Sequence, residues 1–319
     1  MIDQRAQVVA RVRRGDLVES AHHGHLVALD AAGTVVLRRG DPSTTGYPRS
    51  SLKPVQAIAM LRCGLDLDGE LLALACASHS GEPEHVAGVR RILAAAGLAE
   101  ADLQNAPAWP LDAEAAFARR AEGHGPASIT QNCSGKHAAM LATCVAAGWE
   151  RIGYRNPVHP LQQAVRAEVA GLTGDGDPAY EAVDGCGAPL YSCTLIGLAR
   201  AFRAIATADP GTPEHRVAAA VRRHPWWLGG TDRMVSRLVE TVPGLVAKEG
   251  AEGVFAAALP DGRALAVKIV DGGPRPLPAV VVAALRAVEV DAPGLADIGR
   301  VDVLGGGQPA GALEPVLAD

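Results

Sequence analysis

Apolar positions fall into short runs near the two ends of the chain and into helical repeats between them. Residues 25–29 and 34–37 are apolar runs around Asp30-Ala31-Ala32-Gly33, which predicts a hairpin with a glycine-containing loop. Residues 55–62 are helical in pattern and run into a C-cap signal at Cys63-Gly64. Residues 71–77 are continuously apolar, and at that length a buried strand and a helix read equally well. Residues 82–96 predict a helix with Ser80 as N-cap, Pro83 in its first turn and Gly97 at its end. From residue 129 a polar loop feeds an alanine-rich helix closed by Gly148. Residues 161–172, 192–207, 214–223 and 278–288 are helical in pattern, and Asp184-Gly185-Cys186-Gly187 reads as a turn. Late in the chain, 246–250 lead into apolar runs at 254–259 and 264–270, with Asp261-Gly262 between the last two as a strong hairpin signal. The glycines of 304–307 read as flexible. No repeat or long linker divides the chain. The expectation is one α/β domain over residues 1–319, its terminal segments sharing a sheet and its helices lying between them.

Composition adjusts this picture in a few respects. Apolar residues make up 48% of the 319, enough for a sizeable core, while aromatics are only 3%, so Ala, Val and Leu must build it. Net charge is −5 and no Lys/Arg stripe carries interleaved aromatics, which argues against a nucleic-acid partner. No apolar run is long enough for a membrane span. The opening MIDQRAQVVARVRRGD has no long apolar stretch after its basic residues, against a signal peptide. The six cysteines, at 63, 76, 133, 144, 186 and 193, are scattered, which suggests free thiols and a cytoplasmic protein.

Four stretches carry candidate chemistry. In Ser50-Ser51-Leu52-Lys53, a serine and a lysine lie one helical turn apart, so the amine can reach the hydroxyl. Serine needs a base to become a nucleophile, and lysine serves only if burial or a second cation lowers its pKa. The plainer reading is a capping serine and a solvated lysine. Lys53 also precedes Pro54, and residues before proline resist the α conformation. In Cys76-Ala77-Ser78-His79-Ser80-Gly81-Glu82, Ser78 follows an apolar run, where functional side chains gather. Taken alone, a simple loop with Ser80 as a helix cap accounts for it better. Asn132-Cys133-Ser134-Gly135-Lys136-His137 fails as a phosphate loop, because Thr130 and His137 stand where that loop needs Gly and Ser/Thr. What remains is a thiol, an amine and an imidazole at a helix start, which favours a thiolate at Cys133. Cys133 and Cys186 together offer two soft ligands to a metal such as zinc, although no Cys-x-x-Cys supports it. Lastly, Lys248 enters a strand between small residues, where it either lines a cleft or is an ordinary loop lysine. A second amine near Lys53 would supply the like charge that lowers a lysine pKa.

Taken in order, Arg49-Ser50-x-x-Lys53-Pro54, Cys76-Ala77-Ser78-His79-Ser80, Asn132-Cys133-Ser134-Gly135-Lys136-His137, Asp184-Gly185-Cys186 and Lys248-x-Gly250 resemble the class 3, rhizobial-type L-asparaginases of the asparaginase II family. The resemblance spans nearly the whole chain. It implies a fold akin to serine β-lactamases and serine-type glutaminases, a homodimer, and hydrolysis of L-asparagine to L-aspartate and ammonia through a Ser–Lys acyl-enzyme. Carried over, the catalytic pairs are Ser50 with Lys53 and Ser78 with Lys248. The resemblance also implies a supporting Zn2+ site of Cys133, Lys136 and Cys186, with Asp184, Arg49 and His137 toward the substrate. Arg49 could bind the substrate α-carboxylate or make a structural salt bridge. Two rival readings are a β-lactam-type serine acyl transferase, which lacks a persuasive Ser-x-Asn partner here, and a non-enzymatic cysteine-based metal module, which leaves the serines and lysines idle.

Overall fold

The computed structural model describes residues 2–318. Both ends of the chain enter one antiparallel eight-stranded sheet, as expected from the terminal apolar runs. Across it the strands run Asp302–Gly305, Gln308–Pro315, Gln7–Arg14, Leu17–Leu29, Ala264–Ile269, Val254–Ala258 and Val246–Gly250. Val35–Arg39 pairs with the second half of Leu17–Leu29, forming the expected hairpin. The strand Gln7–Arg14, which the apolar pattern did not announce, pairs with the first half of that same long strand. Residues 304–307 are not a loose tail. Gly306-Gly307, with φ of +57° and +79°, form the two-residue turn between the last two strands, a conformation open to glycine at little cost. The glycines that suggested flexibility are the ones the hairpin needs.

Every residue of Val254–Ala258 is buried, so both faces of the sheet's middle are covered. Helices Leu195–Ala206 and Leu277–Ala287 pack on these central strands. The remaining helices form a second mass whose apolar core is continuous with that of the sheet. The ambiguous run at 71–77 is helical, Gly69–Ala75, with the Asp68 side chain accepting a hydrogen bond from Gly69 N. The next helix, Pro83–Ala95, has Glu82 and not Ser80 at its N-cap, because the Ser80 hydroxyl donates to Gly229 O at 2.9 Å instead.

Three helix ends meet the edge strand Val246–Gly250. A 3-10 turn, Arg49–Leu52, passes into the helix Lys53–Arg62. Lys53 is helical despite its proline neighbour, at φ −59° and ψ −37°, and its buried side chain is tied down by tertiary contacts. The end of Gly69–Ala75 delivers Ser78, and the start of Ser134–Ala147 delivers Lys136 and His137. The edge strand lies so close to the 3-10 turn that a Cβ on Gly250 would sit 2.5 Å from Pro48 O.

Candidate active site

Ser78 is the hub. Its Oγ lies 2.9 Å from Lys248 Nζ and 3.1 Å from Lys53 Nζ, with Lys53 1% exposed, Lys248 0% and Ser78 4%. Lys53 Nζ also donates to Ala77 O at 2.5 Å and faces Asn132 O at 3.4 Å, so three oxygens match the three protons of an ammonium. Lys248 Nζ has one further oxygen, Glu249 O at 2.8 Å. Burial is the main cause that brings the Lys248 pKa down to about 7; Lys53 and Arg233 push the same way, against Glu249. Two amines thus converge on one hydroxyl, and Lys248 is the one that burial disposes toward the neutral form.

The expected pair of Ser78 with Lys248 is in contact. Lys53 also meets Ser78, and no side-chain hydrogen bond joins it to Ser50 among the described residues. Ser50 is half-buried on the 3-10 turn, directly after Arg49, whose φ of +54° is left-handed and strained for a side-chain-bearing residue. Among the described residues its hydroxyl has no hydrogen-bond partner. Beside it, Arg49 Nε donates to Asp184 Oδ1 at 2.8 Å, and Nη1 lies 3.7 Å from Glu252 Oε1. Of the two roles expected for Arg49, the salt bridge is present. The guanidinium stays 22% exposed, open to a carboxylate from outside.

Cys133, Asp184 and Cys186 form a second cluster against the first. Their ligand atoms lie within 4.8 Å of one another, and Lys136 Nζ donates to Cys186 Sγ at 3.2 Å. The Cys133 pKa is held well below the usual thiol value, first by a hydrogen bond from Cys186 and then by Lys53 and Lys136, against burial. That same bond and burial raise Cys186. Burial works to lower the Lys136 pKa, but the charges of Cys186, Cys133 and Asp184 outweigh it, so it lies above the ordinary lysine value. Burial likewise opposes, and Lys136 and Arg49 prevail, in lowering Asp184. Two thiols, a carboxylate and an amine at this spacing fit a soft divalent ion such as zinc.

His137 is wholly buried and kept neutral, chiefly by burial and then by Lys136 and Lys53. Its Nδ1 is 2.6 Å from the Tyr154 hydroxyl, and its Nε2 has no partner among the described residues. Other participants were not visible as motifs. The single backbone carbonyl of Asn132 accepts from both Lys53 Nζ, at 3.4 Å, and His79 N, at 3.2 Å. His79 is itself structural: Gly81 N donates to its Nδ1, so its Nε2–H donates to Ser134 Oγ at 2.8 Å. Arg233 and Glu249 border Lys248, and no local spacing marked them.

Of the ten expected site residues, Lys53, Ser78 and Lys248 meet in one cluster, and Cys133, Lys136, Asp184, Cys186 and Arg49 in another; Ser50 follows Arg49 in the chain, and His137 follows Lys136 with its side chain on Tyr154. No helix of the described residues is long and apolar enough to cross a membrane. Comparison with curated proteins gave no match. Among solved structures, the chain is similar to a β-lactamase from Mycobacterium bovis at 16% identity and a TM-score of 0.43, covering 83% of this chain and 94% of that one. It is also similar to the hydrolase EstCE1, described as having promiscuous acyltransferase activity, at 13% identity and a TM-score of 0.44, covering 88% of this chain and 93% of that one. The family model described as L-asparaginase II matches residues 10–315, which is nearly the whole chain. The protein belongs to the L-asparaginase II family and is an amidohydrolase of the asparaginase type.

Proposed function

We propose that the protein hydrolyses the side-chain amide of L-asparagine to L-aspartate and ammonia through an acyl-enzyme on serine. Within the family, the observation that carries this reading is the single hydroxyl of Ser78 held between two buried amines. Lys53 and Lys248 hold one proton between them, and the Ser78 hydroxyl lets it pass from one to the other. With that proton on Lys248, Lys53 is a free base one turn from Ser50 and takes the Ser50 proton as Oγ attacks the amide carbon. The C–N bond then breaks, ammonia leaves with a proton from the amine pair, and water cleaves the aspartyl ester. Three features favour Ser50 as the nucleophile: partial exposure, an unengaged hydroxyl and the strained residue before it. Arg49, already oriented by Asp184, binds the substrate α-carboxylate, and the partnerless Nε2 of neutral His137 remains available to a polar group of the substrate.

Cys133, Lys136 and Cys186, with Asp184 beside them, would hold a zinc ion. Bound there, zinc would supply Lewis-acid character that fixes the polar end of a ligand. Lys136 must lose its proton to become a ligand.

A second reading makes Ser78 the nucleophile, favoured by its two amine contacts. Ammonia release from L-asparagine, with wild type, Ser50→Ala and Ser78→Ala side by side, separates the two, together with the mass of peptides carrying trapped acyl groups. An ester on Ser50 and loss of turnover in Ser50→Ala are expected. An ester on Ser78 would install the second reading. A wild type that releases no ammonia from L-asparagine, or that prefers β-lactams, overturns the proposal.

A further inference from the structure

The loop from Leu228 to Arg233 clasps the segment that carries Ser78. Ser78 N donates to Leu228 O at 3.1 Å, and Ser80 N to Gly229 O at 2.8 Å. Thr231 N and Oγ1 donate to the two carboxylate oxygens of Glu82, at 2.9 and 2.8 Å. Gly230 sits at φ +119°, and a Cβ there would lie 2.4 Å from Glu82 Oε1 and 2.8 Å from Ser80 Oγ. The loop can approach this closely only with glycine at that position. At its far end Arg233 reaches in two directions. Its Nη1 faces Ser80 Oγ at 3.4 Å, two residues after Ser78, and its Nη2 donates to Glu249 Oε1, one residue after Lys248. Both side chains are largely buried, 27% and 19% exposed, so solvent screens the pair only partly.

An ordinary surface ion pair would link any two neighbouring elements. This one links the segment bearing Ser78 to the strand bearing Lys248, and it places a carboxylate and its counter-charge directly beside that lysine. We propose that Arg233, paired with Glu249, is a positioning residue for the Ser78–Lys248 contact: it fastens the serine loop to the lysine strand and cancels the carboxylate next to the base. This rests on Lys248 acting as the neutral amine of the proposed reaction. The groups that face Lys248 are Lys53 from the start of Lys53–Arg62, Cys76 and Ser78 from the end of Gly69–Ala75, Cys133 from the N-cap of Ser134–Ala147, Glu249 from its own strand and Arg233 from the clasp. Without Arg233, the uncancelled carboxylate favours the charged form of Lys248. Without Glu249, the uncancelled guanidinium favours the neutral form.

The test is the pH profile of kcat/KM for ammonia release, read in wild type, Arg233→Met, Arg233→Lys, Glu249→Gln and the double variant Arg233→Met with Glu249→Gln. In Arg233→Met the acid limb is expected to move up by roughly one pH unit, with about a tenfold loss below it. Glu249→Gln moves the limb down, Arg233→Lys restores it, and the double variant returns it close to the wild-type position. Limbs that stay in place, or that move the same way in both single variants, overturn the inference, because a loosened fold has no sign. If Arg233→Met does not fold, the near-isosteric Glu249→Gln and the charge-keeping Arg233→Lys still decide it. Lys248→Met separates the two levels of argument. Full turnover in that variant removes the proposed role of Lys248, whereas lost turnover with unmoved limbs in the charge variants removes only the role of Arg233.

Discussion

Lys248 and Lys136 are the same residue type at the same depth, 0% and 2% exposed, and their environments drive them in opposite directions. Around Lys248 stand a second amine, a serine hydroxyl and a backbone carbonyl, with no directly bonded anion among the described residues; burial wins and its pKa falls to about 7. Around Lys136 stand two sulfurs and a carboxylate; their charges overcome burial and its pKa rises. Burial alone therefore does not make a base. The neighbours decide whether a buried amine is kept neutral to accept a proton or kept charged to bind anions. The two environments abut at Asn132-Cys133, so one short segment separates the amine driven toward neutrality from the amine held charged.

The contrast can be broken most directly by the same substitution at both positions. Lys248→Met should cost about 10²- to 10⁴-fold in turnover, the usual contribution of a positioned acid or base, and Lys136→Met should cost less. Ammonia release from L-asparagine measures both, and equal losses would erase the distinction between base and anchor.

Stability should respond with opposite signs. Lys136→Met takes the buried cation from beside the Cys133 thiolate, leaves Asp184 with Arg49 alone, and should lower stability by about 3 kcal/mol. Lys248→Met removes an amine that is harder to protonate folded than unfolded, and should raise stability by about 1 kcal/mol near neutrality. The direction follows from linkage. The folded pKa of Lys248 lies near 7, below an unfolded value of about 10.4, so the native state lacks a proton that the unfolded chain holds across that window. Its cost thus grows as pH falls from about 10 toward 7 and is absent above the unfolded pKa. For Lys136 the contribution is stabilising, fully present below the unfolded pKa and lost as pH rises through the folded one. Thermal melts of the two variants from neutral to alkaline pH check both signs, and a Lys248→Met variant that melts below wild type at neutral pH would contradict them.

Activity itself sharpens the contrast further. Because Lys248 must be neutral to receive a proton, kcat/KM should climb with pH and level off above about 7. A profile flat from pH 5 to 8, roughly the range over which such a group would titrate, would take Lys248 out of the reaction. Zinc uptake followed by metal analysis should also rise with pH, since it displaces protons from Lys136 and the thiols. The smallest effect on turnover is expected from Gly250→Ala. The added methyl would press on Pro48 O, shift the turn that bears Ser50, and cost about 1–3 kcal/mol of stability with a modest fall in kcat.

Much of the helical layer could be read from the chain, because caps and turns are local chemistry. Gly148 closes its helix in the left-handed conformation, and Asp261-Gly262 turns its hairpin, both as the residues predict. Where local signals compete, the packing decides. Residues 71–77 are apolar whichever structure they adopt, and Ser80 had a helix to cap until Gly229 O offered a better-placed acceptor. The site divides in the same way. Ser50, Lys53, Ser78 and Lys248 stand out by type and by their resemblance to a family. That Lys53 settles on Ser78 depends on how a helix docks against a loop 25 residues away, and Arg233 meets Glu249 only because a loop closes on the edge strand.

The bond between Lys248 and Ser78 spans 170 residues, and the sheet that carries Lys248 pairs Arg13 with a strand 301 residues further on. Contacts of such sequence separation are slow to find, because a long loop must close before any of them can form. A helical layer assembled early, from its local contacts, would hold Lys53 and Ser78 side by side while the second amine was still absent. Such a molecule would have its helices and part of its core but no shared proton. In a refolding experiment, catalysis should therefore return with the slowest phase, well after helical circular dichroism has recovered, so that turnover reports the docking of the sheet's edge.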